Sequence, residues 1–335
     1  GSRVRLCVVK MGPVEVQFSL LHMSVYSQSF SPCGRFLAAG NNYGEISVFS
    51  LSAALSPDAS EASQKPILTF TAHDGPVFSL LSTDSHLLSA GNGEISAWSW
   101  VELIKRVGVE HLKIDVSLRT SLEIPEINTM VLSLKDNSLF VGGGDNNIHM
   151  MDLETGVFKS TLQGHSDYIH CLAVREREGE LLSGAEDGAV RIWDSRTGRS
   201  VHCVEIYKYE ECSRPQFGKW IGCLATDSDW MLCGGGPSLS LWHLRSLSPT
   251  SVFPILGCQR QAAFYQDLIL SVGEGGSLNH CLLSGEVKAQ IPCTPPCLNT
   301  LALNGTEQRV LTLGGSSDQI DVFTNLSYRA FSLSF

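Results

Sequence analysis

The stretch Leu162–Asp194, which reads LQGHSDYIHCLAVREREGELLSGAEDGAVRIWD, decides the fold of this 335-residue chain. It contains short runs in which apolar and polar residues alternate, and the pair Asp187-Gly188 separates the last two of them. Alternation with a period of two predicts strands with one buried face, and an Asp-Gly pair between strands predicts a tight turn. One such sheet cannot bury its faces alone, so the stretch predicts that similar sheets stack against it.

Degenerate copies of this stretch recur along the chain. Each copy has a strand-like run after a glycine-rich turn. When the seven runs are aligned, the position of Trp193 is occupied in turn by Phe49, Trp98, Met151, Trp193, Trp242, Cys281 and Phe323. The gaps of 49, 53, 42, 49, 39 and 42 residues lie near the period of about 40–45 residues typical of WD40 repeats. The sequence therefore resembles the WD40 family and predicts an all-β, seven-bladed WD40 β-propeller.

The repeat uses nearly the whole chain, so we expect one domain. A leader at 1–23, in which FSLLHM suggests a short helix, precedes a propeller at 24–335. The expected units lie at about 24–51, 66–100, 124–156, 157–198, 199–246, 249–285 and 286–326, and the closing strand at 328–335. An N-terminal strand is the alternative for closing the ring. Lys113–Leu118 is expected to supply an outer strand of the second unit.

Composition bounds the function classes. The net charge is −10, and the densest basic cluster, in the fourth unit, is interleaved with glutamates. Direct, tight binding to nucleic acid is therefore not expected. No apolar run approaches the ~18 residues of a membrane span. The 11 cysteines are scattered and fit a reducing compartment. We expect no metal site and no cofactor.

His165, Ser183, Asp187 and Trp193 match the structural tetrad of a WD40 blade. A chain of hydrogen bonds from Asp187 through His165 and Ser183 to the indole of Trp193 satisfies groups that are otherwise buried without partners. Ser, His and Asp also form hydrolase triads. However, no GxSxG turn is present, and the repeat accounts for all three residues. We therefore predict that the chain is not an enzyme and has no catalytic residues.

Two patterns suggest protein partners. Tyr168 and Trp220 each stand just before the first apolar residue of a predicted innermost strand, where propeller loops converge and where aromatic side chains are common in binding hot spots. The alternative, which the sequence favours, is that each caps its blade by packing. Trp193, Asp194 and Arg196 form a WDxR box, which some WD40 proteins use to dock on the adaptor of a cullin-RING ubiquitin ligase. A substrate receptor of such a ligase is thus the alternative function.

Four segments have sequences that the WD40 repeat pattern does not require, so a resemblance in them is more specific than the repeat itself. They are YKYEECSRP at 207–215, GKWIGCLATDSDWMLCGGGPSLSLWHLRS at 218–246, SPCGRFLAAGNNYGEISVFSL at 31–51 and NLSYRAFSLSF at 325–335. They resemble the WD40 subunit 6 family of the THO complex, the core of the TREX mRNA export machinery. That resemblance implies a nuclear, non-catalytic scaffold that docks on the coiled-coil pair of THO subunits 5 and 7, joins THO units into a larger oligomeric complex, and reaches mRNA only indirectly.

Overall fold

The computed structural model describes residues 20, 22–106, 116–305 and 309–335. Within these ranges, 28 strands form seven four-stranded antiparallel sheets, each a simple meander of consecutive strands. The prediction of an all-β, seven-bladed propeller is confirmed. The helix expected in the leader lies mostly on residues outside the described ranges.

Each sheet is one blade, and its strands run in sequence order from the propeller axis outward. The strands of blades one to four are β1 Val25–Phe30, β2 Phe36–Asn41, β3 Glu45–Ser50, β4 Leu68–Thr71, β5 Ser79–Ser82, β6 His86–Ala90, β7 Glu94–Ser99, β8 Leu118–Ser121, β9 Ile127–Ser133, β10 Ser138–Gly143, β11 Ile148–Asp152, β12 Phe158–Leu162, β13 Ile169–Arg175, β14 Glu180–Ala185, β15 Ala189–Asp194 and β16 Arg199–Glu205.

The strands of blades five to seven are β17 Ile221–Asp227, β18 Trp230–Gly235, β19 Ser240–His243, β20 Ser248–Val252, β21 Gln259–Tyr265, β22 Leu268–Gly273, β23 Ser277–Leu282, β24 Val287–Pro292, β25 Leu298–Asn304, β26 Val310–Gly315, β27 Gln319–Phe323 and β28 Phe331–Ser334. Two short helices, α1 Leu51–Ala54 and α2 Trp100–Lys105, follow β3 and β7. No described helix has the length and apolar character that a membrane crossing needs.

The core is divided among the seven interfaces between neighbouring blades. Seven clusters of buried apolar side chains are present among the described residues, and each is built mainly from two adjacent blades. The first strand of every blade also contacts the first strands of both neighbours. Each blade is therefore stabilised by the blades beside it, as a repeat whose sheets cannot bury their faces alone requires.

The seven residues aligned on Trp193 occupy one equivalent position in the fold. All of them lie on the third strand of a blade and are at most 2% exposed. Each pairs with an apolar residue of the second strand: Leu37 with Phe49, Leu87 with Trp98, Leu139 with Met151, Leu181 with Trp193, Met231 with Trp242, Ile269 with Cys281 and Leu311 with Phe323. The repeat seen in the sequence therefore matches the structure: the aligned residues occupy the same place in the strand pairing of every blade.

In the part of the chain that the structure describes, the ring closes without exchange of a strand between its two ends. The outer strand of blade seven is the C-terminal β28, which pairs with β27, while β1 begins blade one. Across the seam, Asn299 Nδ2 donates to the carbonyl of Val25 at 3.2 Å and Gln28 Nε2 to that of Thr300 at 3.3 Å. Side-chain hydrogen bonds and apolar packing hold the two end blades together.

The outer strand of blade two lies later in the chain than the sequence suggests. Leu118–Ser121 pairs with β7, from Ala97 opposite Leu118 to Glu94 opposite Ser121. Val116 and Ser117 precede the strand, and residues 113–115 lie outside the described ranges. The length of the connection suggested an outer strand here but did not fix its position, because the register is set by the partner strand rather than by local sequence.

Candidate functional site

The four predicted tetrad residues meet in blade four. His165 Nδ1 lies 2.8 Å from Asp187 Oδ2, and His165 Nε2 lies 2.7 Å from Ser183 Oγ. The indole N–H of Trp193 donates to Ser183 Oγ at 2.8 Å. With the Nδ1–H tautomer, every donor in this chain meets an acceptor: Nδ1–H to the carboxylate, Ser183 O–H to Nε2, and indole N–H to the hydroxyl oxygen.

The turn before β15 positions the carboxylate of Asp187. Gly188 has a φ of +84°, and a Cβ there would lie 2.7 Å from the ring of Tyr207, so both backbone and space favour glycine. Burial disfavours the charge of Asp187, but hydrogen bonds from His165 and from the backbone N–H groups of Ala189 and Ser166 outweigh burial. They lower the pKa of Asp187 to about 2. The turn thus holds an ionised carboxylate against a buried imidazole.

This arrangement is not that of an activated nucleophile. Ser183 is fully buried, and its hydroxyl lies between His165 Nε2 and the indole of Trp193. A serine nucleophile needs a substrate carbonyl within reach, and the packed side chains of blade four fill that space. The geometry fits the structural role that the sequence predicts for the four residues.

Trp193, the first residue of the WDxR box, is 1% exposed and belongs to the core between blades three and four. Asp194 caps the following turn, because its Oδ1 accepts from the backbone N–H groups of Arg196 and Thr197 at 2.9 and 3.3 Å. Arg196 is exposed and lies 3.5 Å from Asp194. Only Asp194 and Arg196 can therefore meet a partner directly, and docking through this box stays a prediction.

Tyr168 and Trp220 lie on the same side of the propeller. We call it the top face, defined as the face at which the first strand of each blade begins. Tyr168 is 41% exposed. Trp220 is half-buried, its N–H donates to the carbonyl of Phe217 at 2.9 Å, and its ring lies 6.4 Å from that of His170. A Cβ on Gly222 would lie 2.4 Å from the Trp220 ring, so this glycine makes room for the indole.

Arg214 is a residue whose role sequence reasoning missed. It lies in residues 206–220, the connection from blade four to blade five, and donates to five backbone carbonyls at 2.8–3.2 Å, those of Gly235, Gly236, Pro237, Ile255 and Leu256. Its guanidinium also lies 4.7 Å from the ring centre of Phe217. Arg214 thereby fixes a surface on which Phe217, Trp220 and the 89% exposed Leu256 stand.

A cavity of about 630 Å³ lies at the mouth of the central channel. In every blade, the second residue of the first strand or a residue next to it lines this cavity, so all seven blades contribute. No group of three or more His, Cys, Asp or Glu side chains that could hold a metal ion occurs in the part of the chain that the structure describes. The ten cysteines in these ranges are free thiols.

Comparison with known proteins agrees with the fold. Residues 64–99 match the family described as WD domain, G-beta repeat. Residues 111–236 match the β-propeller of the family described as nucleolar protein 10-like, N-terminal domain. Each match covers only one region of the ring, as expected when some repeats have kept the WD40 pattern better than others.

Relatives over the full length are more specific. The chain is 77% identical to a THO complex subunit 6 homolog of Danio rerio, over 97% of this chain and 100% of the relative. It is 60% identical to THO complex subunit 6 of Homo sapiens, over 98% of both chains. Identity is 30% to THO complex subunit 6 of Drosophila melanogaster, over 91% of this chain and 87% of the relative. On these matches, the chain belongs to the THO complex subunit 6 family.

Proposed function

We propose that this propeller is a non-catalytic scaffold subunit of a THO complex in the nucleus. It acts in the assembly and oligomerisation of THO and TREX for mRNA processing, including splicing, and nuclear export. The observation that carries the proposal is the match to relatives named as THO subunits along essentially their whole length.

The partner in this proposal is the coiled-coil pair formed by THO subunits 5 and 7. Tyr168 and Trp220 are the candidate contacts, and both lie on the top face beside the surface that Arg214 fixes. Aromatic side chains that are held in place before binding lose little conformational freedom in a complex. The hydrogen bond of Trp220 to Phe217 and its seat over Gly222 supply such preorganisation.

The proposal assigns contact with mRNA to the partners. A net charge of −10 opposes binding of a polyanion, since affinity for nucleic acid depends on neutralising phosphates with Lys and Arg. Among the described residues, two arginines of the basic cluster and its surroundings are already engaged by carboxylates: Arg175 contacts Glu180 and Asp229, and Arg245 contacts Asp229.

The test is co-purification of the coiled-coil pair with the tagged chain and its Trp220→Ala variant. If Trp220 is a contact, the variant weakens the complex by at least about 2 kcal/mol, the size of a hot-spot residue, and keeps the melting temperature of the free propeller. Trp230→Ala is the matched control, because Trp230 is a half-buried tryptophan of the same blade at the opposite face.

Two outcomes contradict the proposal in different ways. Failure of the unchanged chain to retain THO subunits from nuclear extract, with recovery of a ligase adaptor instead, rejects the THO scaffold in favour of the WDxR alternative. Equal retention by wild type and Trp220→Ala rejects only the assignment of Trp220, as does a large fall in its melting temperature.

A further inference from the structure

The mouth of the central channel has a lining that a structural pore does not require. Among the lining residues, those at one equivalent position of each blade are, in order, Tyr26, Phe78, Asn128, His170, Gly222, Arg260 and Asn299. The ring of Trp220 fills the place left open by Gly222. Aromatic faces and polar groups thus converge on a cavity of about 630 Å³, the combination expected of a small binding site.

The aromatic side chains stand in two groups. Tyr26 and Phe78, from blades one and two, have ring centres 5.9 Å apart. His170 and Trp220, from blades four and five, have ring centres 6.4 Å apart and nearly perpendicular planes. The faces of Tyr, Phe and Trp rings carry negative potential and attract cations, and among cationic side chains arginine does this most often.

The polar groups at the mouth include acceptors for a cation. Asn128 Nδ2 donates to the carbonyl of Ile169 at 2.9 Å and Asn299 Nδ2 to that of Val25 at 3.2 Å, which leaves the amide oxygen of each side chain as an acceptor for a ligand. Glu186 also lines the cavity. Its carboxylate is 46% exposed and lies 2.7 Å from His170 Nε2.

One cation lies in the lining, and a carboxylate stands beside it. Arg260 Nη2 is 3.9 Å from Glu274 Oε1, so the wall at blade six carries no net charge. Histidine contributes positive charge only when it is protonated. The fixed charge that is left at the mouth is that of Glu186.

The rim next to Glu186 is acidic in sequence, and Lys219, from the connection to blade five, packs against Gly188 there. The top-face loops of blades three and four are residues 122–126, 144–147, 163–168 and 186–188, and they contain no Lys or Arg. Their carboxylates are Glu123, Glu126, Asp145, Asp167, Glu186 and Asp187. Carboxylates grouped beside a cleft attract cations and repel polyanions such as RNA.

We propose that the channel mouth binds an arginine side chain of an extended, basic peptide segment. The planar guanidinium suits this lining better than an ammonium group, because it stacks on aromatic faces and donates in two directions to a carboxylate such as Glu186. Further basic residues of the segment lie over the acidic rim. The site shares Trp220 with the proposed coiled-coil contact, but the inference does not depend on that proposal.

The test uses a fluorescein-labelled Gly-Ser peptide with an Arg-Arg centre, and the same peptide with citrulline in place of both arginines. Citrulline keeps the shape and planarity of the side chain and removes the charge. At about 0.15 M salt, where exposed charges are well screened, fluorescence anisotropy is expected to show saturable micromolar binding of the arginine peptide. The citrulline peptide binds at least about tenfold more weakly, a difference of 1.4 kcal/mol.

Glu186→Gln separates the site from general attraction between charges. It removes one carboxylate at the mouth, the side chain is half-exposed, and the fold is expected to stay intact by melting temperature. Glu154→Gln is the matched control, since Glu154 is an exposed glutamate in a turn of the bottom face. Affinity for the arginine peptide falls about fivefold or more with Glu186→Gln, as expected for loss of a desolvated charge partner, and does not change with Glu154→Gln.

Several results overturn the proposal. They are equal affinity for the citrulline peptide, the same loss in Glu186→Gln and Glu154→Gln, absence of saturable binding, or displacement of the peptide by single-stranded RNA at equal concentration. Neither variant changes Trp220, so the outcome does not depend on the coiled-coil contact.

Discussion

Blades four and two each contain a hydrogen-bonded serine, histidine and tryptophan at equivalent places, but only blade four has a carboxylate that contacts the histidine. In blade two, His73 Nε2 lies 2.8 Å from Ser89 Oγ, and the indole of Trp98 donates to the same oxygen at 2.9 Å. These distances match those of His165, Ser183 and Trp193. However, His73 Nδ1 is buried without a hydrogen-bond partner in the described structure, whereas His165 Nδ1 reaches Asp187.

The difference comes from one residue of a turn. Counted back from the tryptophan, Asn92 stands in blade two where Asp187 stands in blade four, so blade two has no carboxylate at this place. The backbone still completes four strands and buries its tryptophan. The fold therefore depends on the packing of the third strand, and the Asp–His contact adds to that packing.

The largest effect is expected for removal of the tryptophan in either blade. Trp193 and Trp98 are 1% and 2% exposed, so replacement by alanine leaves a large cavity and costs about 3–5 kcal/mol. We expect Trp193→Ala and Trp98→Ala to lower the urea midpoint by similar amounts. A near-wild-type midpoint for Trp98→Ala, with a large loss for Trp193→Ala, contradicts the view that packing rather than the complete tetrad dominates.

A smaller effect is expected for Asp187→Ala, which gives blade four the unsatisfied histidine of blade two. His165 Nδ1 then stays buried without an acceptor, which typically costs about 1–3 kcal/mol. Urea unfolding measures this loss. Asp145→Ala is the control: Asp145 stands at the corresponding place in blade three but contacts His149 at 2.7 Å, where the two side chains are 23% and 13% exposed.

The Asp145→Ala variant should lose less stability than Asp187→Ala, since partly exposed ion pairs contribute about 0–1 kcal/mol. Equal losses at both positions show that turn capping, which both carboxylates provide, accounts for the effect. In that case the contact between Asp187 and His165 adds no stability beyond that of the turn cap.

The sequence predicts the repeat better than it predicts the contacts within each repeat. Glycine-rich turns followed by alternating strands are local signals, and they located all seven positions aligned on Trp193. The tetrad of blade four was also predicted, because its four residues match a known pattern. Propeller architecture follows from such periodicity without any knowledge of long-range contacts.

Contacts between distant residues have no comparable signal. Arg214 reaches carbonyls 21–42 residues away, and nothing periodic marks it. In blade six, Ser271 Oγ donates to Gln259 Oε1 at 2.8 Å, so an amide stands where blades two and four use an imidazole. Glu186, an ordinary turn residue in the sequence, lines the channel mouth only because the ring brings seven strands together.

The smallest effect is a pH dependence that distinguishes the two histidine blades. Burial lowers the pKa of His73 below its ordinary value of 6.5, so below that pH the unfolded chain binds more protons than the folded chain and stability falls. Asp187, with a pKa of about 2 against an ordinary 3.8, adds stability that is complete above about pH 5 and is lost between there and pH 2. Near neutral pH, the difference between the blades therefore lies with His73.

The variant His73→Gln isolates this contribution, because Gln259 of blade six shows that an amide accepts from the equivalent serine. From about pH 7.5 to about pH 5.5, wild type should lose stability by at most about 1.4 kcal/mol per pH unit for each such histidine. His73→Gln should lose less. Some slope should remain, because burial also lowers the pKa of His280. Urea midpoints at both pH values measure the two slopes, and identical slopes would mean that the unsatisfied imidazole of blade two is not coupled to folding.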